Sequence, residues 1–371
     1  MIGTRPEAIK LAPVAHALAA RGISPRLLLT GQHPALDIGQ FGLAEYPRSE
    51  LRCAGEANPH AHVRKVASAM APLLRQGTEL VIVQGDTSSA LGGALASRRA
   101  SVALAHVEAG LRSGDRLRPW PEEGYRIRID RYARLLFAAT DLSAENLERE
   151  RIAGAIHVTG NTGIDALLPV AAGLAPPRLH DRARPRLLVT CHRRESWRDG
   201  LNSIAAALLQ LASELPAHID FVLHPNPHVA ALMRGLLEGR TGITLLDPCS
   251  HRELVERMAA ADIILSDSGG MQEEAPTLGV PLLALRETTE RPEGILSGNI
   301  RLVGTSAERI VNEVKRLLGD PVAYAAMSRR AFPYGDGHAA PRIASIVDEW
   351  LTEQRHSAQN PRRASTHSGS W

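Results

Sequence analysis

The sequence predicts an α/β protein built from two Rossmann-like domains whose parallel sheets face a central cleft. Three observations carry this expectation. At 371 residues the chain exceeds the size at which a single hydrophobic core stops growing. Short apolar, β-branched runs alternate with longer helix-competent runs, the pattern of parallel strands joined by crossover helices. The alternation breaks once, at a Pro- and Arg-rich stretch around 171–185, and then restarts.

The elements follow in order. Gly3-Thr4-Arg5-Pro6-Glu7 reads as the turn after a first strand, entering a helix over 7–20. Only Met1 and Ile2 precede that turn, whereas an ordinary strand has about 5–6 residues; either the strand is stunted or the chain as given starts late. Strands are expected at 80–83, 102–107, 135–138 and 156–158, with a small-residue helix after Thr87. The second half predicts strands at 186–190, 219–223, 243–246, 263–265, 281–285 and 300–303. Between and after them lie helices near 201–214, 229–238, 250–260, 271–278, 307–318, 322–331 and 339–353. Residues 1–172 form the expected N-terminal domain, 173–185 a linker, and 186–335 a C-terminal nucleotide-binding domain. The polar tail 356–371 is expected to be disordered.

Composition narrows the function. Acidic and basic residues are interleaved, the formal net charge is +3, and no basic stripe is present. That argues against a nucleic-acid-binding domain. Three scattered cysteines (Cys53, Cys191, Cys249) lack metal-ligand spacing and point to a reducing compartment, the cytoplasm. No apolar run reaches the roughly 18 residues of a membrane span, and no signal-peptide pattern opens the chain.

Polar residues recur at predicted strand ends. Arg5 and Lys10 follow the first turn, Gln84-Gly85-Asp86-Thr87 the strand at 80, and Glu108 and Arg112 the strand at 102. His192-Arg193-Arg194-Glu195 follow the strand at 187, and His224 the strand at 219. In an open parallel sheet such ends face one crevice. After the strand at 263 the chain turns through Ser268-Gly269-Gly270 into a helix, a ready-made anion site. Cations and this turn suit a diphosphate, while Asp86, Glu108 and Glu122 suit proton transfer. Carboxylates beside a diphosphate suit Mg²⁺ as well, although the cations can replace a metal. Neither a dinucleotide GxGxxG, nor a P-loop, nor a Gly-x-Ser-x-Gly elbow is present.

Several blocks resemble one family. They are GTRPEAIKLAP at Gly3, TGQH at Thr30, GDTS at Gly85, HVEAGLRSGD at His106, PWPEE at Pro119, TGNTGIDAL at Thr159, CHRRES at Cys191, SDSGGMQEEAPTLG at Ser266, RETTERPEG at Arg286 and PYGDG at Pro333. The chain is similar to the bacterial, non-hydrolysing UDP-N-acetylglucosamine 2-epimerases. The resemblance implies a GT-B-like fold, with a C-terminal helix at 336–355 crossing back to the first domain, and a homodimer. It also implies interconversion of UDP-GlcNAc and UDP-ManNAc, supplying ManNAc for cell-surface polysaccharide. The route is anti elimination of UDP and re-addition with inversion at C2, without metal or nicotinamide. By the same resemblance Asp86, Glu108, Glu122 and His192 are catalytic. Arg5, Lys10, Arg193, Ser268, Gly269 and Gly270 hold the diphosphate. Glu274 takes the ribose, Arg291 the nucleotide side, and Cys249 and Leu254 occupy the base pocket. Gln32, His33 and His224 map onto a regulatory site.

Three positions depart from the family pattern. Gln84 stands where the family has His, Cys249 and Leu254 replace a Gln and an aromatic residue, and Ala35 replaces a second Gln after TGQH. Hydrolytic release of free ManNAc is the alternative outcome on this scaffold. A GT-B glycosyltransferase and an inactive nucleotide-sugar-binding protein are the other readings.

Overall fold

The computed structural model describes residues 1–33, 36–74, 77–115, 119–174, 184–191 and 199–359. They divide into two compact units, Met1–Ala166 with Gly335–Trp371, and Leu167–Tyr334. The first unit runs α1 (Arg5–Ala20), β1 (Leu27–Leu29), β2 (Arg48–Glu50), α2 (Pro59–Leu74), β3 (Leu80–Gln84), α3 (Ser88–Ala100), β4 (Ala103–Ala109), α4 (Glu122–Tyr132), β5 (Leu135–Ala138), α5 (Asp141–Arg149) and β6 (Ala155–Val158). The division falls within α6 (Thr162–Ala171). Of the expected linker, residues 175–183 lie outside the described residues. The second unit runs β7 (Arg186–Thr190), α7 (Asp199–Glu214), β8 (His218–Val222), α8 (Pro227–Leu237), β9 (Ile243–Leu246), α9 (His251–Ala260), β10 (Ile263–Ser266), α10 (Gly269–Leu278), β11 (Leu282–Ala284), α11 (Glu293–Leu296), β12 (Ile300–Leu302), α12 (Ala307–Gly319) and α13 (Pro321–Met327). α14 (Ala339–Gln359) returns to the first unit.

In the first unit β3, β4, β5 and β6 pair in parallel, in that order. Their side chains alternate between two cores, as the pleat requires. Ala105, Val107, Leu135 and Phe137 face one core with α1 and α14. Leu104, Leu136, Ala138, Val81 and Val83 face the other with α2, α3 and α4. A sheet buried on both faces reads as near-continuous apolar runs, which is why these strands were legible.

The expected first strand is represented here by a single bridge, Ile2 to Leu29. Ile2 N donates to Leu28 O at 2.9 Å, and Thr30 N donates to Ile2 O at 2.9 Å. The Met1 ammonium donates to Ile82 O at 2.9 Å. Met1–Ile2 thus lies between the two-stranded β1–β2 sheet and β3. β1 and β2 have three residues each, and β2 carries Arg48 and Glu50. Neither gives a strand-length apolar signal.

The second unit has one parallel sheet in the order β12-β11-β10-β7-β8-β9. The chain moves outward from β7 to β9, returns to β10, and proceeds outward to β12. This is the Rossmann order, and its reversal lies between β7 and β10. Leu187, Val189, Ile219, Phe221, Ile263 and Leu265 pack one face against α7, α8 and α12.

Two ends differ from expectation. α13 stops at Met327 rather than Ala331, because Asn299 Nδ2 takes the carbonyls of Met327 and Arg329 at 2.9 and 2.6 Å. α14 continues to Gln359, past the expected tail start at His356, since no Gly or Pro lies between His356 and Pro361. Residues 360–371 lie outside the described residues.

Candidate active site

The first unit gathers its polar groups at the C-terminal ends of β3 and β4. Gln84 is in register with Val107, so the turns beyond them are neighbours. Gly85 adopts φ +69°, which turns the chain sharply after β3 and presents Asp86. Glu108 has φ +68° without being glycine, and the β4–β5 register shifts between Val107 and Ala109. A left-handed glutamate beside a bulge is strained backbone, of the kind held in place by its surroundings at functional sites.

The surroundings are specific. Lys10 Nζ, from α1, donates to Glu108 Oε2 at 2.9 Å, and Gln84 Nε2 donates to the same oxygen. Glu108 is therefore held as an acceptor by two donors. Asp86 is held by a different cation: Arg126 Nε and Nη2 reach its Oδ2 at 2.7 and 2.6 Å. The Asp86 side chain keeps 26 % of its surface exposed while Arg126 is buried. Arg126 Nη1 also donates to Glu123 Oε2 at 2.8 Å.

α4 organises this end of the unit. Glu122, Arg126 and Asp130 recur every four residues and so share one helix face. Asp130 is fully buried. His106 Nδ1 lies 2.6 Å from its Oδ1, and His106 Nε2 lies 2.9 Å from Gly85 O. Gly110 N donates to Asp130 Oδ2 at 3.3 Å, and Arg112 Nη2 lies 2.8 Å from the same oxygen. Burial alone would raise the Asp130 carboxyl. The charges and hydrogen bonds of His106 and Arg112 outweigh it and hold the group below the ordinary carboxylate range. One carboxylate thereby ties the turn bearing Asp86 to the turn bearing Glu108. Arg112 itself pairs with Asp130 and Glu150 rather than standing open at the strand end.

α1 starts with a capping box. Thr4 caps the helix, and Glu7 Oε2 accepts from Gly3 N and Thr4 N, both at 2.7 Å. Glu7 Oε1 accepts from Thr87 Oγ1 at 2.6 Å, joining the first turn to the Asp86 turn. Arg5 is the first residue of α1, beside that turn. Gln32 accepts from Ser89 Oγ at 2.7 Å and so stands at the start of α3. Burial lowers the His33 imidazole from its ordinary value. His192, Arg193 and Ala35 lie outside the described residues.

In the second unit Ser268 is the N-cap of α10, and its hydroxyl makes no capping hydrogen bond. β10 pairs with β7 at Ser266↔Thr190, so the Ser268 turn sits at the topological switch point. Ser266 Oγ lies 2.7 Å from Thr190 Oγ1 and accepts from Ser268 N at 3.0 Å, which fixes the turn. A Cβ on Gly269 would lie 2.7 Å from Arg291 Cζ, so only glycine lets the guanidinium lie against this helix start. Arg291 Nε donates to Glu273 Oε1 at 2.6 Å, and its Nη1 donates to Glu290. Glu274 accepts from His251 Nε2 at 2.9 Å. Cys249 and Leu254, on either side of His251, are partly exposed. His224 Nδ1 accepts from Asn226 N at 2.9 Å.

Four residues of this arrangement were not singled out from sequence: His106, Arg126, Asp130 and His251. For three of them a signal exists. His106 and Glu108 alternate on one strand, and Arg126 and Asp130 follow Glu122 at helical spacing. His251 has no such signal, because its partner lies 23 residues away on another helix.

Comparison with known proteins agrees across the chain. A family model described as UDP-N-acetylglucosamine 2-epimerase matches residues 16–348. A probable UDP-N-acetylglucosamine 2-epimerase of Ralstonia nicotianae is 41% identical, over 95% of this chain and 98% of its own. The UDP-N-acetylglucosamine 2-epimerase of Yersinia pestis is 40% identical, over 94% of this chain and 97% of its own. The solved UDP-GlcNAc 2-epimerase of Neisseria meningitidis, bound to UDP-GlcNAc, superposes with a TM-score of 0.87 at 34% identity, covering 94% of this chain and 98% of that one.

Proposed function

This chain belongs to the UDP-N-acetylglucosamine 2-epimerase family, and we propose that it interconverts UDP-GlcNAc and UDP-ManNAc, releasing the product as a UDP-sugar. The observation that carries the reading is the pair of separately held carboxylates, Asp86 and Glu108, at adjacent strand ends. Inversion at C2 removes a proton from one face and returns it to the other. It therefore needs two acid–base groups in different settings. Asp86 rests on Arg126 and Glu108 on Lys10 and Gln84.

In the forward step a carboxylate takes the C2 proton. The C1–O bond to UDP breaks, its electron pair leaves with the phosphate, and a C1=C2 double bond forms. In the return step UDP re-adds at C1 while the other acid protonates C2 from the opposite face. Cleavage puts negative charge on UDP. Arg5, Lys10, Arg193, Arg291 and the Ser268-Gly269-Gly270 turn oppose it. Positive charge develops on the sugar ring, where Glu122 stabilises it. His192 completes the acid–base set. Gln32, His33 and His224 serve regulation by a second substrate molecule.

Partners and location belong to the same reading. A homodimer follows the family resemblance. No helix among the described residues is long and apolar enough to cross a membrane. The three cysteines are free thiols, which fits a reducing cytoplasm.

The test is turnover of UDP-GlcNAc in D₂O, followed by NMR and mass spectrometry. UDP-ManNAc carrying deuterium at C2 supports the proposal. Free ManNAc as the main product assigns the hydrolytic reaction instead, and product carrying protium alone at C2 removes the elimination route.

A further inference from the structure

Consecutive glutamates on α10 have different partners, and the difference assigns a role to a residue outside the known motifs. Glu273 is neutralised by Arg291 at 2.6 Å. Among the described residues Glu274 pairs with a histidine alone: His251 Nε2 lies 2.9 Å from its Oε1, with side-chain exposures of 11 and 10 %. A carboxylate only accepts, so the ring nitrogen donates. Among the described residues Glu274 Oε2 has no hydrogen-bond partner. His251 is itself held still. It opens α9 directly after Ser250, which forms a reciprocal capping box with Glu253 (2.7 Å and 3.2 Å), and Val255 and Met258 bury the helix behind it.

The ligand chemistry follows from place. Glu274 lies in the second turn of α10, one turn beyond the helix start that suits phosphate. A group next to a nucleotide's phosphates that meets a fixed carboxylate oxygen is the vicinal diol of its ribose. Both hydroxyls donate, and one oriented oxygen accepts both. We propose that His251 is the positioning residue for this recognition: it fixes Glu274 Oε1 so that Oε2 faces the 2′- and 3′-hydroxyls, and so makes the site select ribo- over deoxyribonucleotides. The inference rests on the family reading that α10 receives the nucleotide.

Calorimetric titration of UDP and 2′-deoxy-UDP against wild type, His251→Phe, His251→Gln and Glu274→Ala tests it. A hydrogen bond to a charged group contributes roughly 1.5–3 kcal/mol, so His251→Phe should weaken UDP binding about 10-fold and 2′-deoxy-UDP binding, which keeps the 3′-hydroxyl contact, only about 3-fold. His251→Gln keeps a donor and should restore most of the discrimination. With UDP-GlcNAc, KM should rise in His251→Phe while kcat stays within about 2-fold, since uniform binding is what is lost. Equal loss for both nucleotides, or no loss, overturns the role of His251. If Glu274→Ala also leaves ribose discrimination intact, the nucleotide reading of α10 falls with it. If Glu274→Ala abolishes discrimination while His251→Phe does not, only the present inference falls. Unchanged thermal unfolding of His251→Phe excludes a folding effect, and a lowered melting point with proportional loss for both nucleotides counts against the proposal.

Discussion

Asp130→Asn is the most informative single substitution in the first unit. The side chain is fully buried and three donors converge on it: His106 Nδ1 at 2.6 Å, Arg112 Nη2 at 2.8 Å and Gly110 N at 3.3 Å. Asparagine offers one acceptor oxygen and one NH₂, so at least one donor then faces another donor. Removing one member of a buried ion pair costs about 3–5 kcal/mol. Arg112 keeps Glu150, at 2.7 and 2.9 Å on the more open side, which places the loss near the lower end, about 3 kcal/mol. Urea denaturation followed by circular dichroism at pH 7 measures it, with unchanged m-value as the sign that the denatured state is the same.

The dependence on pH has a fixed sign. Asp130 is held below the ordinary carboxylate range, so its contribution is fully present above the unfolded pKa and is lost as pH falls through the folded one. The gap between wild type and variant should therefore narrow in acid. Activity should fall further than folding explains. Asp130 anchors the Gly85 carbonyl through His106 and the Gly110 amide directly. If these turns carry the acid–base groups as proposed, displacing them by about 1 Å costs roughly 10²-fold in rate. A variant within about 1 kcal/mol of wild type, with normal kcat, would refute the reasoning.

Three further outcomes are expected. Asp86→Asn, Glu108→Gln and Glu122→Gln should each lower kcat by about 10²–10⁴ under saturating UDP-GlcNAc, and normal turnover in all three would remove the proposed acid–base set. If Arg5, Lys10, Arg291 and the Ser268 turn supply the positive charge as proposed, activity should survive EDTA; a strict need for added Mg²⁺ or Mn²⁺ would favour a metal-assisted transfer. Gly269→Ala places a Cβ 2.7 Å from Arg291 Cζ, so calorimetry should show UDP binding weakened about 10-fold, corresponding to about 1.4 kcal/mol, with the melting temperature little changed.

Much of the fold was legible because its strands are buried on both faces. The runs at 135–138, 186–190 and 243–246 coincide with β5, β7 and β9. What escaped had no local signature. β1 and β2 are three-residue pairings recognised only through their partners. α2 has an internal Pro72 and many polar residues, which blur its period. At the candidate site the Ser268 turn and the carboxylates were readable from position alone, since strand ends and helix starts advertise themselves. The identity of each group's partner was not. Nothing local indicates that Asp86 meets Arg126 across 40 residues, or that Lys10 reaches Glu108 across 98. Those pairings arise from sheet order and register.

The shared face of α4 bears on how this enzyme can change. Glu122, Arg126 and Asp130 ride on one rigid body, each four residues and about 6 Å of helix rise from the next. Nudging one moves the others, and Arg126 and Asp130 are also stabilising contacts of the unit. Variation there is punished twice, in rate and in stability, leaving few neutral neighbours in sequence space. Around the start of α9, which the proposed reading gives to the nucleotide, Cys249 and Leu254 are partly exposed and hydrogen-bond-poor by type. Drift costs little there. New substrate preferences in this lineage should accumulate around α9, while the residues of α4 stay fixed.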